Sequence, residues 1–135
     1  MVIYDSNKRV FKLDTDNTSY VMGVTEEGYL GNIYYGKKVD TTDLVYAMRT
    51  GEYPFTPSVL PGEKISFMDK FPMEYPFDGT GDFHANCINI RNSAGQEGLE
   101  LKVESHNIYA EKRKLDSMPS ARGEGTMSLD IVLSY

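Results

Sequence analysis

Three residues in this chain could ligate a transition metal: His84, Cys87 and His106. Three nitrogen or sulfur ligands would suffice for an open zinc site. In a strand, however, residues 84 and 87 point to opposite faces, so the sequence argues for unrelated side chains. Asp14-Thr15-Asp16-Asn17-Thr18 resembles the start of a calcium loop, but Ser19 stands where such a loop needs glycine and Thr25 where it needs an acid. Ser105-His106 offers a nucleophile and a base, yet neighbours in a strand face apart. Gly79-Thr80-Gly81 precedes no helix that could hold a phosphate and reads as a tight turn. Glu111-Lys112-Arg113-Lys114 reads as a solvated hairpin tip. Glu74, Asp78 and Asp82 lie among aromatics, a composition suited to sugar contact. Glycoside hydrolysis needs two carboxyls held about 5–10 Å apart, and nothing in the sequence singles out such a pair.

The elements that must position these residues have a period of two. Met127, Leu129, Ile131, Leu133 and Tyr135 alternate with mostly polar residues, as in a half-buried antiparallel strand. Leu99, Leu101 and Val103 do the same, as do Ile88 with Ile90, Phe11 with Leu13, Tyr20 with Met22 and Val24, and Ile33 with Tyr35. Turn residues separate the runs: Asp16-Asn17, Glu27-Gly28 and Asn92-Ser93-Ala94-Gly95. Thr42 is expected to cap one short helix over residues 43–49, with Leu44, Val45 and Met48 on one face and Gly51 ending it. Five of the six prolines fall between 50 and 86. That stretch reads as a long connection, ordered by its aromatics, with one strand near Ile65–Met68. The expected fold is all-β, an antiparallel sandwich with at most one short helix.

The chain has 135 residues, and 20 acids against 14 Lys and Arg give a net charge of -6. This length suits a single domain over 1–135. The acidic balance argues against nucleic-acid binding. No apolar run approaches the roughly 20 residues that span a bilayer, so no membrane partner is expected. Nothing at Met1-Val2-Ile3-Tyr4-Asp5 marks secretion, and a single cysteine fits a reducing compartment, so the expected location is cytoplasmic.

Four segments carry a family resemblance. Residues 74–83, EYPFDGTGDF, resemble the EYPxxGxxDF signature of the N-terminal domain of bacterial α-galactosidases of glycoside hydrolase family thirty-six. Thr18-Ser19-Tyr20-Val21-Met22 resembles the family's TSYVM strand, and residues 28–37 its GxLxxxYYGK hairpin. Ser105-His106-Asn107-Ile108-Tyr109, Lys112 through Leu115 and Met118-Pro119-Ser120 resemble its SHRIYxGKPxLxGLPA segment. The motifs run in the family order from about residue 10 to the end. His84 departs from the family's usual Arg after Asp-Phe, and 40–65 matches loosely.

The resemblance implies a twisted, galactose mutarotase-like supersandwich that precedes a (β/α)8 barrel. It implies that this chain is a fragment lacking the barrel, which carries both catalytic aspartates. The parent would then hydrolyse terminal α-galactosides such as melibiose and raffinose by a retaining mechanism. This domain would be non-catalytic and need no cofactor. Its partners would be its own barrel and, in a homo-oligomer, the galactoside in a neighbouring subunit's pocket, reached by the loop at about 40–70. Arg49 and Lys64 are the candidate sugar-contacting residues there. The other expectation is an independent carbohydrate-binding sandwich. A fragment cut from a larger sandwich would also self-associate, through the edge of its last strand.

Overall fold

The structure, a computed structural model, describes residues 1–51, 67–77, 84–114, 116, 117, 119 and 125–135. Among the described residues, six strands make two antiparallel sheets. The first sheet has the order β1-β2-β3-β4, from β1 (Val2–Asp5), β2 (Val10–Asp14), β3 (Thr18–Val24) and β4 (Leu30–Lys37). The second pairs β5 (Lys102–Tyr109) with β6 (Ser128–Ser134). The fold is all-β, as the alternation implied. Among the described residues, no helix is long and apolar enough to cross a membrane.

Pairing follows the apolar pattern. Phe11 sits opposite Met22 and Leu13 opposite Tyr20, while Tyr4 sits opposite Phe11. These residues therefore share one face of the first sheet. Val103 of β5 and Leu129 and Ile131 of β6 pack onto that face around Phe11, Met22 and Leu30. This contact makes the two layers of the sandwich.

A second core is larger. Tyr29, Phe67, Met68, Phe71 and Phe77 are buried almost completely and are joined by Leu99. Burying one such side chain contributes about 1.5–3 kcal/mol, so this cluster outweighs the inter-sheet contact, where only Phe11 is fully buried. Phe67, Phe71 and Phe77 of the proline-rich connection are thus core residues, whereas Tyr75 is exposed. Gly31 allows the close approach, because a Cβ there would lie 2.2 Å from the Phe71 ring. Asn32 N–H donates to Pro72 O, Glu74 N–H donates to Leu30 O, and Gly31 bridges Met73, so the connection runs along the outer edge of β4.

Several expected elements take other forms. The helix over 43–49 is reduced to one 3-10 turn, Val45–Ala47, preceded by Leu44 with no side-chain cap. Thr42 donates its hydroxyl to Asp5 Oδ2 at 2.8 Å rather than accepting from the turn's backbone N–H groups as a cap would. Phe67 and Met68 lie in a turn, closed by Lys70 N–H and Phe71 N–H donating to Phe67 O, rather than in a strand. Residues 65 and 66 fall outside the described set. Ile88 and Arg91 form only isolated bridges, and Leu99 and Leu101 precede β5 instead of belonging to it. The turn at 92–96 does form, with Gly95 at φ 78° and Asn92 Oδ1 accepting from Ala94 N–H and Gln96 N–H.

Candidate functional site

The acid that the sequence placed among aromatics, Glu74, sits where three parts of the chain meet. Tyr20 of β3 donates its hydroxyl to the Glu74 carboxylate, 2.6 Å from each oxygen. Asn32 of β4 donates Nδ2–H to Oε1 at 3.1 Å. Tyr35 lies beside Tyr20, with ring centroids 5.8 Å apart. Burial first, then the Glu74 carboxylate, push the Tyr20 hydroxyl up from its ordinary 10.0 to about 12. Glu74 is committed to holding the 67–77 connection on the sheet. This is a structural use of a carboxylate.

Two results follow from this tie. Tyr20→Phe should lower stability by about 1.5–3 kcal/mol, the usual worth of a hydrogen bond to a charged group, read as the shift in the urea midpoint. The raised folded-state value also sets a pH dependence. The contribution of Tyr20 is fully present below about pH 10 and is lost as pH rises through about 12. Phenolate absorbance, compared between the parent chain and Tyr20→Phe, should show one tyrosine titrating near that upper value.

A comparable tie anchors β5. Tyr29 donates its hydroxyl to Glu100, whose other partner is Lys102 Nζ at 3.0 Å, and that ammonium lies 5.5 Å from the Tyr29 ring centroid. Burial pushes the Glu100 carboxyl up, but the bonds from Tyr29 and Lys102 outweigh it and leave it below its ordinary value.

The remaining chemical candidates are dispersed. His106 is wedged between Tyr4, 4.2 Å away by ring centroid, and Phe11, 5.0 Å away. It faces inward because β5 carries one extra residue between Val103 and Ser105, which reverses the alternation. Cys87 is exposed. Among the described residues, no three His, Cys, Asp or Glu side chains gather around a common point. Asp78, Asp82 and Gly79-Thr80-Gly81 lie outside the described residues. The basic run at 111–114 is exposed but not merely solvated. Arg113 pairs with Asp130, stacks over Tyr109 at 4.5 Å, and donates its backbone N–H to Ser128 Oγ at 2.8 Å.

Of the two candidate sugar-contacting residues, Arg49 is exposed directly after the 3-10 turn, and Lys64 lies outside the described residues. Arg49 stands between Met48 and Thr50, which both line an open groove of about 860 Å³. Asn7, Lys8 and Arg9 of the β1–β2 turn form one wall, and Val24, Thr25, Glu26 and Glu27 form another. Arg9 adopts φ 54° there and donates Nη1–H to Thr25 O at 3.2 Å. The rim thus carries cations and anions together. Sequence reasoning missed this groove because it is assembled from two turns and the 43–50 segment, which lie apart in the chain.

Residues 28–134 match the model of the glycosyl hydrolase family 36 N-terminal domain, and the chain belongs to that family. It is 34% identical over 136 residues to the bifunctional alpha-galactosidase/sucrose kinase AgaSK of Mediterraneibacter gnavus, covering 98% of this chain and 14% of that protein. It is 30% identical over 135 residues to alpha-galactosidase AgaA of Geobacillus stearothermophilus, covering 98% of this chain and 18% of that one. Among solved structures, the galactosidase domain of AgaSK superposes with a TM-score of 0.87 at 32% identity, covering 100% of this chain and 19% of that chain. The GH36 alpha-galactosidase AgaB of Geobacillus stearothermophilus superposes with a TM-score of 0.85 at 30% identity, covering 98% and 18%.

Proposed function

We propose that this chain is the non-catalytic N-terminal β-sandwich, spanning 1–135, of a cytoplasmic α-galactosidase that acts on terminal α-galactosides such as melibiose and raffinose. The catalytic carboxylates reside on a downstream (β/α)8 barrel. The domain packs on that barrel, contributes to homo-oligomer contacts, and shapes a neighbouring subunit's sugar pocket through the loop at 40–70. Arg49 and Lys64 are the residues assigned to sugar hydroxyls.

The observation that carries this reading is the state of Glu74. It is the one acid of the EYP signature among the described residues, and it accepts hydrogen bonds from Tyr20 and Asn32. A carboxylate so held braces a scaffold and leaves the reaction to other acids. The named relatives, both alpha-galactosidases several times longer, support the same division of labour. The groove beside Arg49, with charges of both signs, suits a hydroxyl-rich partner that donates and accepts hydrogen bonds.

Hydrolysis of p-nitrophenyl α-galactoside tests the reading. The 135-residue chain should release no p-nitrophenol, and the full-length protein should. In the full-length protein, Arg49→Ala should raise KM for raffinose about threefold to tenfold with kcat nearly unchanged. Turnover by the short chain would refute the proposal. Binding of galactose by the short chain in calorimetry would favour an independent sugar-binding module instead.

A further inference from the structure

Residues 38–48 cross the sheet as a strap, and five contacts fix it. Lys38 N–H donates to Asn17 O at 2.9 Å. Val39 N–H donates to Ser19 Oγ at 3.0 Å, and that hydroxyl in turn donates to Asp14 Oδ1 at 2.6 Å. Thr42 donates its hydroxyl to Asp5 Oδ2 at 2.8 Å. Lys8 Nζ lies 3.8 Å from both Asp5 and Asp43, linking the β1–β2 turn to the strap. At the far end, a Cβ on Gly23 would lie 2.7 Å from Met48 Sδ, so the methionine rests directly on the β3 backbone. Arg49 is the next residue.

These anchors differ in strength. Ser19 is fully buried, and the Asp14 side chain is only 3% exposed, so the Val39 bond is shielded from water. Asp5 is pre-set by its own turn, since Oδ1 accepts from Asn7 N–H at 3.1 Å and Lys8 N–H at 3.2 Å. Its second oxygen is thereby aimed at Thr42. A strap held at both ends and in the middle has one path, and the residue that leaves it has one direction.

We propose that Ser19, Asp5 and Thr42 are positioning residues that hold the strap and set the direction in which Arg49 enters the sugar pocket. This rests on the role assigned to Arg49 above. None of the three touches substrate; each acts through the strap's backbone.

The test uses the full-length protein with Ser19→Ala, Thr42→Val and the restoring change Thr42→Ser. Hydrogen exchange over residues 39–51 should rise about tenfold or more in Ser19→Ala and Thr42→Val, and return in Thr42→Ser. In both weakened variants KM for raffinose should rise while kcat holds, following the pattern of Arg49→Ala. Unchanged exchange over 39–51 would overturn the latch. So would raised exchange with an unmoved KM, where Arg49→Ala does move it. If Arg49→Ala itself leaves KM unmoved, the role of that residue fails, and the exchange data alone then uphold or overturn the latch.

Discussion

Lys12→Met should destabilise the chain by about 3–5 kcal/mol, because it removes one partner of a buried ion pair and leaves the other charge without compensation. Lys12 Nζ lies 2.6 Å from Asp14 Oδ2, with the two side chains 5% and 3% exposed. Burial pushes the Asp14 carboxyl up, but the bonds from Lys12 and Ser19, with the charges of Lys12 and Lys38, bring it below its ordinary 3.8. The sign of the pH dependence follows. In the parent chain this stabilisation is fully present above about pH 3.8 and is lost as pH falls through the depressed folded value. Without Lys12 the desolvated carboxyl should titrate above its unfolded value, and stability should then be lost as pH rises through it. The melting-temperature gap between the two proteins should therefore narrow on acidification from pH 7 towards 4. A constant gap would mean that the pair carries no net electrostatic stabilisation. Replacing both partners by apolar residues of similar volume should recover most of the loss.

Phe71→Ala should cost about 3–5 kcal/mol, the range for removing a buried aromatic from a packed core. Phe71 is fully buried, stacks edge-on to Phe67 at 5.5 Å and lies on the backbone of Gly31. Gly31→Ala should cost about 1–3 kcal/mol from the other side, because the ring is confined and cannot yield the space. The two losses should not add. With the ring gone, the alanine methyl fills part of the vacated space, so the double variant should be more stable than the sum of the single changes implies. Gly23→Ala makes the contrast. Its Cβ meets side-chain atoms of Ile33 and Met48, which can give way where the confined Phe71 ring cannot. Its stability loss should therefore be smaller than that of Gly31→Ala, while Met48 is lifted off the β3 backbone. Denaturant midpoints on the four variants decide all of this, and additive losses would show that the Phe71 ring does not press on Gly31.

Strands β2, β3, β4 and β6 were legible in the sequence because half-buried antiparallel strands alternate over five or more residues. Strand β1 escaped notice because four residues give only Val2 and Tyr4 as inward positions. The helix over 43–49 was over-read. Its supposed cap, Thr42, is claimed by Asp5, a partner 37 residues away that no local pattern reveals. The extra residue in β5 hid the inward position of His106, since one inserted residue reverses every later side chain. The motifs did point to Glu74, Tyr20 and Asn32, each within a segment bearing the family resemblance. Their convergence across 54 and 42 residues was not visible, because it depends on the sheet bringing β3 and β4 beside the connection.

The separations between contacts also set an order of assembly. Strands β1 to β4 are joined by short turns, so their pairing closes only small loops and can begin once about residue 37 has emerged from the ribosome. The aromatic cluster must wait for Phe77 and Leu99, and the Val2 N–H to Met127 Sδ contact spans 125 residues. During synthesis the meander should therefore stand as a template with one apolar side uncovered until β6 arrives. Pulse-labelling during refolding should protect amides of β2 and β3 before those of β5 and β6, and chaperone capture should be strongest on nascent chains that stop short of residue 128.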